Sequence, residues 1–144
     1  MEVNRLWYEQ EMERLHIDEH GGPASARTLA AVAVGGAVGA GLRWAVGAAW
    51  EHDRGAWPWS TLVVNVIGCV AIGVAAARLR LGTLGWAFVV TGVLGGFTSF
   101  SSFAIEVDDL FAADRAFVAL GYIAVTLTAG TAATWIALRE RWRP

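Results

Sequence analysis

Four long apolar stretches, separated by short charged segments, constrain this 144-residue chain more than any other feature. They cover residues 28–50, 57–77, 84–105 and 116–138, with charges gathered between them. Each is about 20 residues or longer, the length a helix needs to cross hydrocarbon. Backbone polar groups have no water to bond in lipid, so stretches of this kind fold as helices. The chain is 56% hydrophobic and 17% charged, and a water-soluble domain this small needs more charge to cover its surface. A soluble enzyme is excluded. The net charge of −2, with arginines that form no basic patch, also excludes a nucleic-acid-binding domain. The single cysteine, Cys69, cannot form an internal disulfide. The expected fold is an all-α integral membrane protein of four transmembrane helices.

Residues 1–27 form an acidic extension with Glu9, Glu11, Glu13, Asp18 and Glu19. It lacks the basic, apolar and small-residue layout of a cleaved signal peptide, so the spans are expected to be retained. A surface helix carrying Leu6, Trp7 and Leu15 fits its pattern, broken at Gly21-Gly22-Pro23. Residues 139–144 are a basic tail. Trp50, Trp57, Trp59, Trp86 and Trp142 fall near span ends, where an indole keeps its ring in lipid and its N–H in water. Four spans place Arg27, Arg78, Arg80, Arg139, Arg141 and Arg143 on one side and Arg54 and Arg115 on the other. That excess predicts both termini in the cytoplasm.

Gly35, Gly36, Gly39, Gly41 and Gly47 crowd the first span, and Gly92, Gly95 and Gly96 the third. The pairs Gly35/Gly39 and Gly92/Gly96, four apart, suit close approach of helix backbones in lipid. In the middle of the third span, Gly95-Gly96-Phe97-Thr98-Ser99 weakens helix propensity and predicts an interruption. Backbone groups freed at that depth are tolerated only where protein, a cavity or an ion satisfies them. Phe100 and Phe103 follow on one helical face, among hydroxyls. Their electropositive ring edges, beside Ser and Thr donors, suit a small anion without a full positive charge to trap it. Asn65 shares a face with Thr61 and is either an interhelical hydrogen bond or a site residue. Arg43, charged inside the first span, either snorkels toward Trp50 or serves function. Tyr122, Thr126 and Gly130 lie on one face of the fourth span.

Three segments carry a family resemblance: Gly35-Gly36-Ala37-Val38-Gly39-Ala40-Gly41-Leu42-Arg43-Trp44, Thr61-Leu62-Val63-Val64-Asn65-Val66-Ile67-Gly68-Cys69, and Gly95-Gly96-Phe97-Thr98-Ser99-Phe100-Ser101-Ser102-Phe103. In order, spacing and helix assignment the chain resembles the Fluc (CrcB) fluoride channels over about residues 28–138. The resemblance implies four-helix subunits paired antiparallel, with two narrow fluoride pores and a third helix broken at its centre. It implies a structural sodium ion held by the backbone carbonyls of Gly95 and Thr98 from both subunits. Phe100 and Phe103 would flank fluoride, and Asn65, Thr61, Ser102, Tyr122 and Thr126 would line its path. Arg43 would sit toward an anion-gathering vestibule. Thr98-Ser99-Phe100-Ser101-Ser102-Phe103 replaces the family's common Thr-Thr-Phe-Ser-Thr-Phe and keeps every hydroxyl. Gly130 falls where a further hydroxyl is expected on the fourth span.

Function expected on this resemblance is passive export of cytoplasmic fluoride across the plasma membrane, with no enzymatic step. Conduction of this kind needs binding strong enough for entry and weak enough for exit. The uneven arginine count suits one insertion direction, so the antiparallel partner is a second copy or a homologous subunit of reversed bias. Two rivals stand beside it. A proton-coupled multidrug exporter needs a membrane-embedded carboxylate, and Glu51 and Glu106 are expected at span ends. A non-transporting membrane subunit would leave Phe100, Phe103 and Asn65 without a role.

Overall fold

The computed structural model describes residues 25–50, 53 and 55–139. The acidic extension before Ser25, the tail after Arg139 and Trp142 lie outside the described residues. The architecture is α1 (Ala26–Ala49), α2 (Trp59–Arg78), α3 (Leu84–Trp86), a π-helical stretch (Ala87–Leu94), α4 (Gly95–Phe97), α5 (Phe100–Ala112) and α6 (Ala116–Arg139). Joined end to end, α3 to α5 make one bent span, so four helices are long and apolar enough to cross a membrane. The chain is an all-α, multi-pass membrane protein.

Local chemistry explains the ends. Ser25 caps α1, its Oγ accepting from the Thr28 N–H at 3.2 Å, which starts the helix two residues before Thr28. Thr83 caps α3 in the same way through the Trp86 N–H. Gly55 and Gly82 have positive φ in the first two connectors, and Asp114 in the third. Arg115 Nη1 donates to the Gly55 carbonyl at 2.6 Å, so the first and third connectors meet at one end of the bundle. Trp50 and Trp59 are exposed near helix ends, as an interfacial indole should be. Trp57 instead turns inward, edge-on to Tyr122 at 5.7 Å.

Two packing pairs organise the bundle: α1 against the π stretch and α4, and α2 against α6. The glycines divide by contact. A Cβ on Gly39 would overlap the Val93 carbonyl, and one on Gly92 would come within 2.9 Å of Gly35 Cα. Gly41 and Gly47 face open space. Backbone contact this close is a usual means of helix association in lipid, where apolar area drives little. The small buried core of Leu62, Leu110, Ala119 and Tyr122 ties α2, α5 and α6 together.

The third span departs from expectation at its far end. It was expected to close at Ile105, before an acidic connector, yet α5 continues to Ala112. Glu106 therefore lies inside a helix and is half-buried. The helix runs on because Asp108 is exposed, Leu110 is almost fully buried and Glu106 has partners inside the bundle.

Candidate functional site

The site is built around the bend of the third span. Thr98 (φ −73°, ψ 151°) and Ser99 (φ −143°, ψ 107°) are extended between α4 and α5. Extended residues strip neighbouring groups of their helical partners, and at membrane depth those groups need others. Leu94 O takes both the Thr98 N–H (3.0 Å) and the Thr98 hydroxyl (2.9 Å). Asn65, reaching across from α2, accepts from the Ser99 N–H at 2.9 Å and donates to the Ser99 carbonyl at 3.2 Å. Arg43 Nε donates to the Gly96 carbonyl at 3.2 Å. Ser99 caps α5, its Oγ accepting from the Ser102 N–H at 3.1 Å. Gly68 makes room for this arrangement, since a Cβ there would run into the Thr98 methyl.

These bonds show where the two polar side chains of the spans are engaged. Asn65 makes an interhelical pair of bonds, its oxygen and one N–H both engaged by the Ser99 backbone. Arg43 reaches inward to the third span rather than snorkelling toward Trp50. The Ser99 N–H, the helical donor for Gly95 O, goes to Asn65. The Ser102 N–H, the helical donor for Thr98 O, goes to Ser99 Oγ. Both carbonyls are thereby released from their i+4 donors.

The aromatic pair is present but split in environment. Phe100 and Phe103 lie 5.8 Å apart between ring centroids. Phe103 packs at 5.3 Å against Tyr122, while Phe100 is 79% exposed on the protomer surface. Ser102 Oγ accepts from Ser99 Oγ at 2.8 Å and lies 3.5 Å from Arg43 Nη1. Neither bond uses its own proton.

Thr61 and Tyr122 are drawn together by Glu106, which lies within the third span rather than beyond its end. Glu106 accepts from the Thr61 hydroxyl at 2.5 Å and from the Tyr122 hydroxyl at 2.7 Å, one on each carboxylate oxygen. Thr126, its hydroxyl shielded from solvent, sits one turn beyond Tyr122 and next to the Tyr122 hydroxyl. The expectation that the spans hold no carboxylate is thus corrected: Glu106 is inside, kept there by two O–H donors. Four residues separate Thr61 from Asn65, and Glu106 follows Phe103 by three, so helical spacing was a usable signal. Its neighbours Asp108 and Asp109 masked it as part of a solvated run. Replacing Glu106 by alanine leaves two hydroxyls without their acceptor, and loss of about 2–4 kcal/mol is expected. Thermal unfolding in detergent measures it; Glu106→Gln, which keeps one acceptor oxygen, should fall between alanine and the native chain.

Gly130 continues the Tyr122 and Thr126 face, and Cys69 Sγ from α2 fills the space, 3.3 Å from where a Cβ would stand. A cavity of about 670 Å³ opens beside the site, walled by Ala40, Arg43, Ser60, Thr61, Ser102 and Glu106 among others. Arg43 and Glu106 are the ionisable residues in that wall.

Against known proteins, the family model described as CrcB-like protein, Camphor Resistance (CrcB), matches residues 30–138. The chain belongs to the CrcB family. CrcB-family relatives include one from Streptomyces coelicolor called fluoride-specific ion channel FluC 1. It is 40% identical over 116 residues, covering 78% of this chain and 75% of that protein. A Hyphomonas neptunium protein called fluoride-specific ion channel FluC is 42% identical over 113 residues, 74% of this chain and 89% of its own. A Chloroflexus aurantiacus protein of the same name is 36% identical over 121 residues, 79% and 95% respectively. The match runs from α1 through α6, so it takes in the bend, Asn65, Arg43 and Glu106 alike.

Proposed function

We propose that this chain is a passive, fluoride-selective channel of the plasma membrane, exporting fluoride from the cytoplasm. Membership of the CrcB family, with relatives named as fluoride-specific channels, carries this reading. Phe100 and Phe103 flank the anion with ring edges, and Ser102 offers an uncommitted hydroxyl proton beside them. Thr61, Asn65, Tyr122 and Thr126 complete the path, and Arg43 faces the vestibule. The inside-negative potential drives the anion outward, by about 2.3 kcal/mol per 100 mV. The carboxylate needed by a proton-coupled exporter is held by two hydroxyls here, and the family argues for a channel instead.

The working unit is an antiparallel dimer in which the third helix is broken at Thr98 and Ser99. An outward-facing Phe100 supports this, because a partner would cover it and share the wall of the pore. The excess of arginines on one side favours a cytoplasmic location for both termini of this protomer. Its partner is then a second copy or a homologous subunit of reversed charge bias. A sodium ion would be held between the two subunits by the backbone carbonyls of Gly95 and Thr98. Released carbonyls are hard oxygen donors of the kind such a cation takes, and Gly95 and Thr98 are the residues whose helical donors are diverted. The ion would supply the positive charge that such carbonyl oxygens accept.

Fluoride efflux from liposomes holding the purified chain, followed with a fluoride electrode, tests the proposal. Rapid efflux of fluoride but not chloride, slowed about a hundredfold or more by Phe100→Ile, is expected. Equal rates for both anions, or an unaffected variant, would count against it.

A further inference from the structure

The guanidinium of Arg43 spans the bend. Its Nε meets a carbonyl on the near side, Gly96 at the end of α4, and its Nη1 points to a hydroxyl on the far side, Ser102 in α5. It arrives from α1, whose backbone lies against α4 at Gly36 and Gly39. We infer that Arg43 is a positioning residue: it clamps the two halves of the third span at their set angle, and its charge serves the backbone before it serves an anion.

Three physical points support the assignment. The last carbonyls of a helix carry partial negative charge, so a cation is favoured at the end of α4. The rigid guanidinium fork presents N–H groups in several directions at once, whereas an ammonium is a compact point charge. The Ser102 hydroxyl already receives Ser99 Oγ, and Ser99 in turn is held by Asn65, so Arg43 and Asn65 grip the same turn from two different helices. A guanidinium with two edges so engaged has fewer donors left for ions in the cavity it borders.

The clamp rests on geometry, and only its transport arm depends on the fluoride reading. The full chain in liposomes is compared with Arg43→Lys and Arg43→Gln by hydrogen exchange over residues 94–103 and by fluoride efflux at low and high ionic strength. A clamp predicts that both variants raise exchange after Phe97 by about tenfold, the loss of one charge-assisted hydrogen bond. It also predicts that lysine rescues efflux no better than glutamine, by the same factor at either salt concentration. Unchanged exchange overturns the clamp. So does a native efflux rate in Arg43→Lys beside a salt-sensitive deficit in Arg43→Gln, the mark of an anion collector. If the arginine variants are not recovered folded, Ser102→Ala placed in a Ser99→Ala background decides, because the Ser99 Oγ bond to Ser102 is then already gone and only the far anchor of Arg43 is removed: faster exchange over 99–103 than in Ser99→Ala alone supports the clamp, and equal exchange overturns it. Absence of fluoride efflux from the native chain would sink the proposed function while leaving the exchange result to judge Arg43.

Discussion

Asn65→Ala is expected to cost this protein more than any other single exchange at the site. The amide satisfies both backbone groups of Ser99, N–H at 2.9 Å and C=O at 3.2 Å, in a residue that is almost fully buried. Alanine leaves two buried backbone groups without their side-chain partner, a loss of about 2–6 kcal/mol. The chemistry of the replacement sharpens the expectation. Asn65→Asp keeps an acceptor for the Ser99 N–H but turns a carboxylate oxygen toward the Ser99 carbonyl, so it fails as well. Thermal unfolding in detergent reads the stability, and liposome efflux reads the function. A native melting temperature for Asn65→Asp would show that the amide nitrogen contributes nothing.

Gly39→Val is the second large effect, and it acts through backbone packing. The new Cβ alone would overlap the Val93 carbonyl and crowd the Phe97 N–H. Both obstacles are backbone, which cannot rotate away as a side chain can. Separating α1 from the π stretch would also pull Arg43 from Gly96. About 3 kcal/mol of destabilisation is expected, near the upper end for overpacking. Gly41→Ala, two residues on and facing open space, serves as the control and should match or exceed native stability. Equal losses in both variants would mean that the backbone contacts at Gly39 do not set the cost, since helix propensity alone favours both replacements.

The polar groups of this protein are better understood in threes than in pairs. Glu106 holds Thr61 of α2 and Tyr122 of α6, so one carboxylate sets the spacing of three helices. Tyr122 in turn carries Phe103 on one side and Trp57 on the other. A change at Glu106 should therefore reach Phe103 through the tyrosine ring. This gives the half-buried carboxylate a structural reason to be inside, whatever it contributes to the path of an ion.

Much of this was legible before the structure. Length and apolar composition state where a helix can lie in lipid, because hydrocarbon leaves the backbone no alternative. Gly35/Gly39 and Gly92/Gly96 announced their contact through spacing alone. The cluster Gly95 to Ser99 predicts an interruption, since neither glycine nor hydroxyl-bearing residues hold a helix well, and the joined span is bent there. The extent of α5 was not legible. Hydropathy averages over neighbours, and Asp108 and Asp109 outweighed the rest of that turn. The π-helical form of Ala87–Leu94 had no signal either, since its residues are ordinary apolar ones.

The sequence by itself determined that this chain lives in a membrane, how many times it crosses, and which glycines bring backbones together. These follow from transfer free energies and helical spacing, which are properties of neighbours along the chain. Only the tertiary structure decided that Glu106 belongs inside, that Asn65 and Arg43 are taken up by the backbone of the bend, and that Cys69 fills the place left by Gly130. Those outcomes depend on partners tens of residues away, such as Thr61 for Glu106 and Gly96 for Arg43. A polar group goes inside when a partner waits there, and spacing along one helix cannot reveal what the next helix offers.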